Sequence, residues 1–169
     1  MGEELIKTIF SRRSIRKYTE ESVPEEHVTT ILEAAMAAPS ASNKKPWHFV
    51  VVTERDTLNR LADAHKYAKM LQEAPLCVVV CGDESVSPRF WEQDCSAVTQ
   101  NILLAAQALG LGSVWCGVHP NEERVHDISE ILGITAPVKP LNLIAIGYPA
   151  EEKEPRTQYD GSRVHREHW

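Results

Sequence analysis

Nothing in the 169 residues approaches the roughly 20 consecutive apolar positions of a membrane span. Cysteine is scarce: Cys77, Cys81, Cys95 and Cys116 form no C-x-x-C pair. Cys77 and Cys81 fall in one expected strand, where four residues span about 13 Å, too far for a disulfide. All four are expected to be reduced core thiols. Of the seven histidines only His165 and His168 are close, and no third ligand stands at metal spacing, so no metal is expected. The Gly110 to Trp115 stretch lacks the third glycine of a dinucleotide fingerprint and follows a helix rather than a strand; it reads as a glycine C-cap leading into a strand. A Walker lysine motif and a G-x-S-x-G elbow are both missing. Positive charge is in deficit, with 18 Lys and Arg against 24 Asp and Glu and a net charge of −6, so phosphate polymers are repelled unless a local stripe compensates. The basic cluster Arg12, Arg13, Arg16 and Lys17 is too short for a duplex and suits one phosphate-bearing small molecule. Met1 to Phe10 carries acidic residues where a signal peptide is basic, and Ile6 stands where a myristoylation start needs Ser or Thr. A cytoplasmic protein with neither a nucleic-acid nor a membrane partner is expected.

What is present fits one domain spanning residues 1–169: 43% hydrophobic and 25% charged residues, in a length that buries a real core. Apolar periodicity predicts helices over Glu3 to Ser11, Glu25 to Ala38, Glu54 to His65, Trp91 to Leu109 and Asn121 to Leu132. The fourth turns apolar nearly all round from Ile102 onward, as a helix does in a core or an interface. Trp47 to Thr53, Pro75 to Cys81, Ser113 to Gly117 and Leu141 to Ile146 read as strands, with Gly133 to Pro140 as a loop. The final stretch, Pro149 to Trp169, is too polar to build a core and is expected to wrap over another surface, a partner subunit being the natural one.

Two segments stand out. One is Arg12-Arg13-Ser14-Ile15-Arg16-Lys17-Tyr18; the other, Pro39-Ser40-Ala41-Ser42-Asn43-Lys44-Lys45-Pro46-Trp47, lies between a helix and a strand. Together with Leu109-Gly110-Leu111-Gly112-Ser113-Val114-Trp115-Cys116-Gly117, Ile146-Gly147-Tyr148-Pro149, Ser162-Arg163-Val164-His165 and Trp169, they resemble the nitroreductase family over essentially the whole chain. That resemblance implies an α+β three-layer sandwich, with a mixed, mainly antiparallel sheet flanked by helices, forming an intertwined homodimer with FMN at the interface. Arg12, Arg13, Ser14 and Arg16 match the segment that holds the FMN phosphate, ribityl chain and pyrimidine edge, and Arg163 matches a second phosphate ligand. Pro39, Ser40, Ala41 and Asn43 match the loop laid against the flavin by the other subunit. Trp115, Cys116 and Gly117 match the strand end beside the ring.

The chain departs from the family pattern twice. Lys45 stands where Gln often precedes Pro-Trp, and only Asp83 to Phe90 replaces a helical excursion found in longer members, which implies a more open acceptor pocket. The resemblance implies that FMN carries the chemistry, with no catalytic acid, base or nucleophile from the protein. NAD(P)H would donate electrons by a ping-pong mechanism to a small organic acceptor such as a nitroaromatic or quinone. The alternatives are a same-fold flavoprotein that dehalogenates or breaks down flavin, and a non-enzymatic flavin binder.

Overall fold

Four β-branched, apolar segments pair into one sheet in a computed structural model that describes residues 2–169, leaving Met1 and its bearing on lipidation outside the described residues. The strands are β1 (Trp47–Val52), β2 (Leu76–Asp83), β3 (Gly112–Gly117) and β4 (Val138–Gly147). Their order is β1-β2-β4-β3, and each neighbouring pair is antiparallel. Among the described residues the parallel element is a single bridge from Ser14 to Ser113 on the outer edge of β3. The central strands β2 and β4 are buried along nearly all of their length, which is why both read as unbroken apolar runs.

Helices cover both faces. α2 (Glu25–Met36) and α4 (Trp91–Ala108) pack Val28, Ile31, Val98 and Ile102 against Val78, Val80, Ile144 and Ile146. On the other face, α3 (Arg55–Ala64) and α5 (Glu122–Leu132) set Leu58, Leu61 and Ile128 against Val79, Leu143 and Ala145. The result is the expected three-layer α+β sandwich. α1 (Gly2–Ser11) rests on α4 and leaves Leu5, Ile6, Ile9 and Phe10 between 41% and 58% exposed. Among the described residues no helix is long and apolar enough to cross a membrane, and no group of three His, Cys, Asp or Glu side chains could hold a metal ion.

The largest boundary difference from the sequence reading is at the start of β4, others shifting by one or two residues. β4 begins at Val138, inside the stretch expected to be a loop, and carries Pro140 opposite Cys81. The register shifts between Val80 and Cys81, and a bulge is where a strand tolerates a residue with no N–H to give.

All four cysteines are buried free thiols. Burial pushes Cys81 and Cys95 up to about 12 and Cys116 up to about 11 from the usual 9.0, and Cys77 higher still. Native thiols therefore keep protons that the unfolded chain sheds above pH 9. Stability from this source is complete below about pH 8 and falls as pH rises toward the native values, by up to about 1.4 kcal/mol per pH unit for each thiol. Thermal melts between pH 7.5 and 10 are expected to show this fall, and Cys95→Ala should reduce its slope by about a quarter, since three of the four thiols remain. A melting temperature that stays level across that range contradicts the account.

Candidate functional site

After α1 the chain lies along the outer edge of β3, where the Ile15 N–H donates to Ser113 O at 3.0 Å. That approach depends on Gly112: a Cβ there would sit 2.7 Å from Ile15 Cγ2. The Tyr18 hydroxyl donates to Ile15 O at 2.6 Å. The tail clamps the same segment from outside: Lys153 Nζ donates to Ser14 O at 2.6 Å, Glu151 Oε1 accepts from the Arg16 N–H at 2.6 Å, and the Ala150 N–H donates to Lys17 O at 2.9 Å. The Arg16 N–H, reinforced by Lys153, holds the Glu151 carboxyl below the usual carboxylate range.

This anchoring concentrates cations. The Arg156 N–H donates to Phe10 O at 3.2 Å, which brings Arg156 toward Arg12, while the Arg13 guanidinium donates to Glu154 O. Burial first, then Arg156 and Arg13, lower the pKa of Arg12. Among the described residues none of these three guanidinium groups is in an ion pair. A half-buried arginine repelled by two others is an arrangement that an anion would relieve.

Arg16 instead lines a cavity of about 550 Å³ with Trp115, Cys116 and Gly117, so one chain brings these four expected residues together. The far wall holds Lys66, Tyr67, Lys69 and Arg124, none of which stood out in the sequence. Buried His65 joins the two walls. Its Nδ1 accepts from the Tyr67 N–H at 3.2 Å, so its Nε2–H donates to Gly117 O at 2.7 Å, where Arg124 also donates at 3.3 Å. No atom lies within 4 Å of where a Gly117 Cβ would point, leaving room for a flat ring. Burial keeps the Cys116 thiol protonated despite nearby Arg16, so it is no nucleophile at neutral pH.

The Pro39–Asn43 loop lies elsewhere. It enters β1 at the opposite edge of the sheet, two strands and roughly 14 Å from β3. Ser42, Asn43 and Lys45 all adopt positive φ, near +52° for Ser42. The loop is nonetheless pinned: buried Asp94 accepts from the Ala41 N–H at 2.9 Å, and Ser40 Oγ accepts from the Lys45 N–H at 3.0 Å. Arg163 is also apart from the cluster, exposed in the Gly161–Arg163 turn and paired with Asp160 at 3.2 Å.

An arginine cluster and an open cavity walled by Arg16, Lys66, Lys69 and Arg124 thus lie along the β3 edge of the sheet. The sequence profile of the Nitroreductase family matches residues 9–67 and 62–148. A relative from Methanothermobacter thermautotrophicus, named "Putative NADH dehydrogenase/NAD(P)H nitroreductase", is 47% identical over 98% of this chain and 88% of its own. A solved structure of that same name from Bacteroides thetaiotaomicron superposes with a TM-score of 0.96 at 40% identity, covering all of both chains. An FMN-dependent nitroreductase from Clostridium difficile superposes at 0.92 and 32% identity, over 97% of this chain and 99% of that one. The chain belongs to the nitroreductase family.

Proposed function

We propose that this chain is an NAD(P)H-dependent FMN oxidoreductase, a single cytoplasmic FMN-binding domain that works as a homodimer and reduces a small organic acceptor such as a nitroaromatic or quinone. The observation that carries the reading is the Arg12, Arg13 and Arg156 cluster, free of ion pairs among the described residues, beside the Arg16 cavity. A phosphate answers the uncompensated charge, and a flat ring answers the space over Gly117. Names among the relatives, NAD(P)H nitroreductase and FMN-dependent nitroreductase, agree with it.

Arg12, Arg13 and Ser14 are assigned to the phosphate and ribityl chain, Arg16 to the pyrimidine edge, and Trp115, Cys116 and Gly117 to the ring. Pro39, Ser40, Ala41 and Asn43 occupy the far sheet edge, so in this reading they serve the site of a second copy. The exposed apolar face of α1 and the exposed tail, with Tyr159 and Trp169 in solvent, favour that second copy. Arg163 reaches a phosphate only if the tail is seated by that association. When bound, FMN supplies the redox chemistry, taking hydride from NAD(P)H and returning electrons to the acceptor. The chain binds and orients: the nicotinamide leaves before the acceptor stacks in its place, which makes the kinetics ping-pong.

Size exclusion with flavin quantitation tests this reading, followed by anaerobic addition of NADH or NADPH. A yellow dimer with about one FMN per chain that bleaches is expected. A colourless monomer that takes up no FMN overturns it.

Arg16 permits a finer prediction. Two-electron reduction places negative charge at the N1–O2 edge of a flavin, and a fixed cation there favours the reduced form. Arg16→Gln is expected to lower the potential by roughly 20–45 mV, which corresponds to a contact of 1–2 kcal/mol for a two-electron couple. Equilibrium reduction of FMN-saturated protein against a reference dye measures it. An unchanged or raised potential removes Arg16 from that edge.

A further inference from the structure

A second cavity, of about 230 Å³, opens between the loop that precedes β1 and the turn that precedes α4. Ser42 and Lys44 form one wall; Ser87, Arg89 and Phe90 form the other. We propose that this cleft is a subsite for a planar aromatic acceptor bearing a carboxylate, with Arg89 and Lys44 as its charge partners and Phe90 as its stacking surface. The proposal deepens the oxidoreductase reading above and rests on it for the acceptor's role.

Size sets the first limit, because the volume is below the roughly 300–1,000 Å³ of sites for drug-sized ligands and suits one substituted ring rather than a nucleotide. Charge sets the second. Lys44 and Arg89 are exposed, and among the described residues neither is in an ion pair. The acids in the flanking segment are already engaged: Asp83 accepts from the Ser85 hydroxyl at 2.6 Å and the Ser85 N–H at 2.8 Å, Glu84 pairs with Lys139 at 2.8 Å, Glu92 with His119 at 3.1 Å, and Asp94 is buried. A guanidinium fork meets a carboxylate with two parallel hydrogen bonds, and an arginine beside an aromatic face suits a flat anion. Phe90 is a large apolar ring left 44% exposed at this mouth.

Preorganisation of the two walls sets the third. Asp94, 5% exposed, accepts from the Ala41 N–H with Oδ1 and from the Ser87 hydroxyl with Oδ2, at 2.9 and 3.2 Å. One buried carboxylate thus ties the two walls together, next to Ser42 and Asn43 in the left-handed region, which side chains rarely adopt unless the surroundings demand it. The same loop contributes the residues assigned to the flavin, so a ring in the cleft borders the redox centre.

The test uses benzoate and benzamide, which share a shape and differ in charge, and calorimetric titration into the protein as purified, so turnover is not needed. Benzoate is expected to bind about tenfold or more tightly than benzamide, with the gap narrowing as salt rises. Arg89→Gln should abolish most of the gap while benzamide affinity and flavin content hold, Lys44→Gln should abolish less, and Phe90→Ala should weaken both ligands alike. Equal affinities in the unmodified protein, or a gap that survives in the Arg89→Gln/Lys44→Gln double variant, overturn the proposal. The visible spectrum of the same sample separates the two failures. A colourless protein defeats the oxidoreductase reading, whereas a yellow one that binds both ligands equally defeats only the carboxylate subsite.

Discussion

Arg12→Ala is expected to weaken FMN retention by about 10- to 150-fold, the equivalent of 1.5–3 kcal/mol for a charge-assisted contact, while riboflavin affinity stays level. Arg12 is half buried, pressed by Arg13 and Arg156, and paired with no carboxylate among the described residues. Deleting it relieves repulsion, so the flavin-free variant should melt no lower than its parent, and at low salt somewhat higher. Loss of affinity without loss of stability is the signature of a group kept for a ligand. Fluorescence titration of stripped protein with FMN and with riboflavin, alongside thermal melts, reads both quantities. A variant that loses stability, or loses both flavins equally, makes Arg12 structural.

A larger effect is expected from α1. In an isolated chain Ile6 and Ile9 are exposed, so Ile6→Glu/Ile9→Glu should leave the fold of one protomer intact. In the proposed dimer the same positions face an apolar partner, and burying unpaired carboxylates there costs about 3–5 kcal/mol or more. Dissociation should strengthen by two orders of magnitude or more, and flavin should be lost with it. Sedimentation across a concentration series, read at the protein and flavin absorbances, follows both. A variant that remains a yellow dimer moves the interface away from α1.

Much of the scaffold was legible because its signals are periodic. Val28, Ile31 and Ala35 mark the buried stripe of α2, and the Leu76 to Cys81 run marks a strand covered on both faces. The start of β4 was hidden by Lys139 and Pro140, which read as loop although a bulge at Leu141 of β4 lets them pair with Gly82 and Cys81 of β2. Within the site, Arg12, Arg13 and Arg16 announce themselves as a local excess of charge. His65 and Asp94 do not, because each acts on a backbone atom more than fifty residues away, Gly117 O for one and the Ala41 N–H for the other. Nor could the left-handed backbone at Ser42 and Asn43 be read from a loop whose composition suits many conformations. Lys66, Lys69 and Arg124 converge with Arg16 only through the packing of α3 and α5 on one sheet face.

The placement of the arginine segment and the Pro39–Asn43 loop on opposite sheet edges has a genetic consequence. If each site takes its arginines from one chain and its loop from the other, a protein crippled in the arginines and another crippled in the loop are not equivalent failures. Co-expressed, they form mixed dimers in which one site inherits both lesions and the other inherits neither. With random pairing about a quarter of all sites are whole, so two individually dead alleles restore partial function to each other.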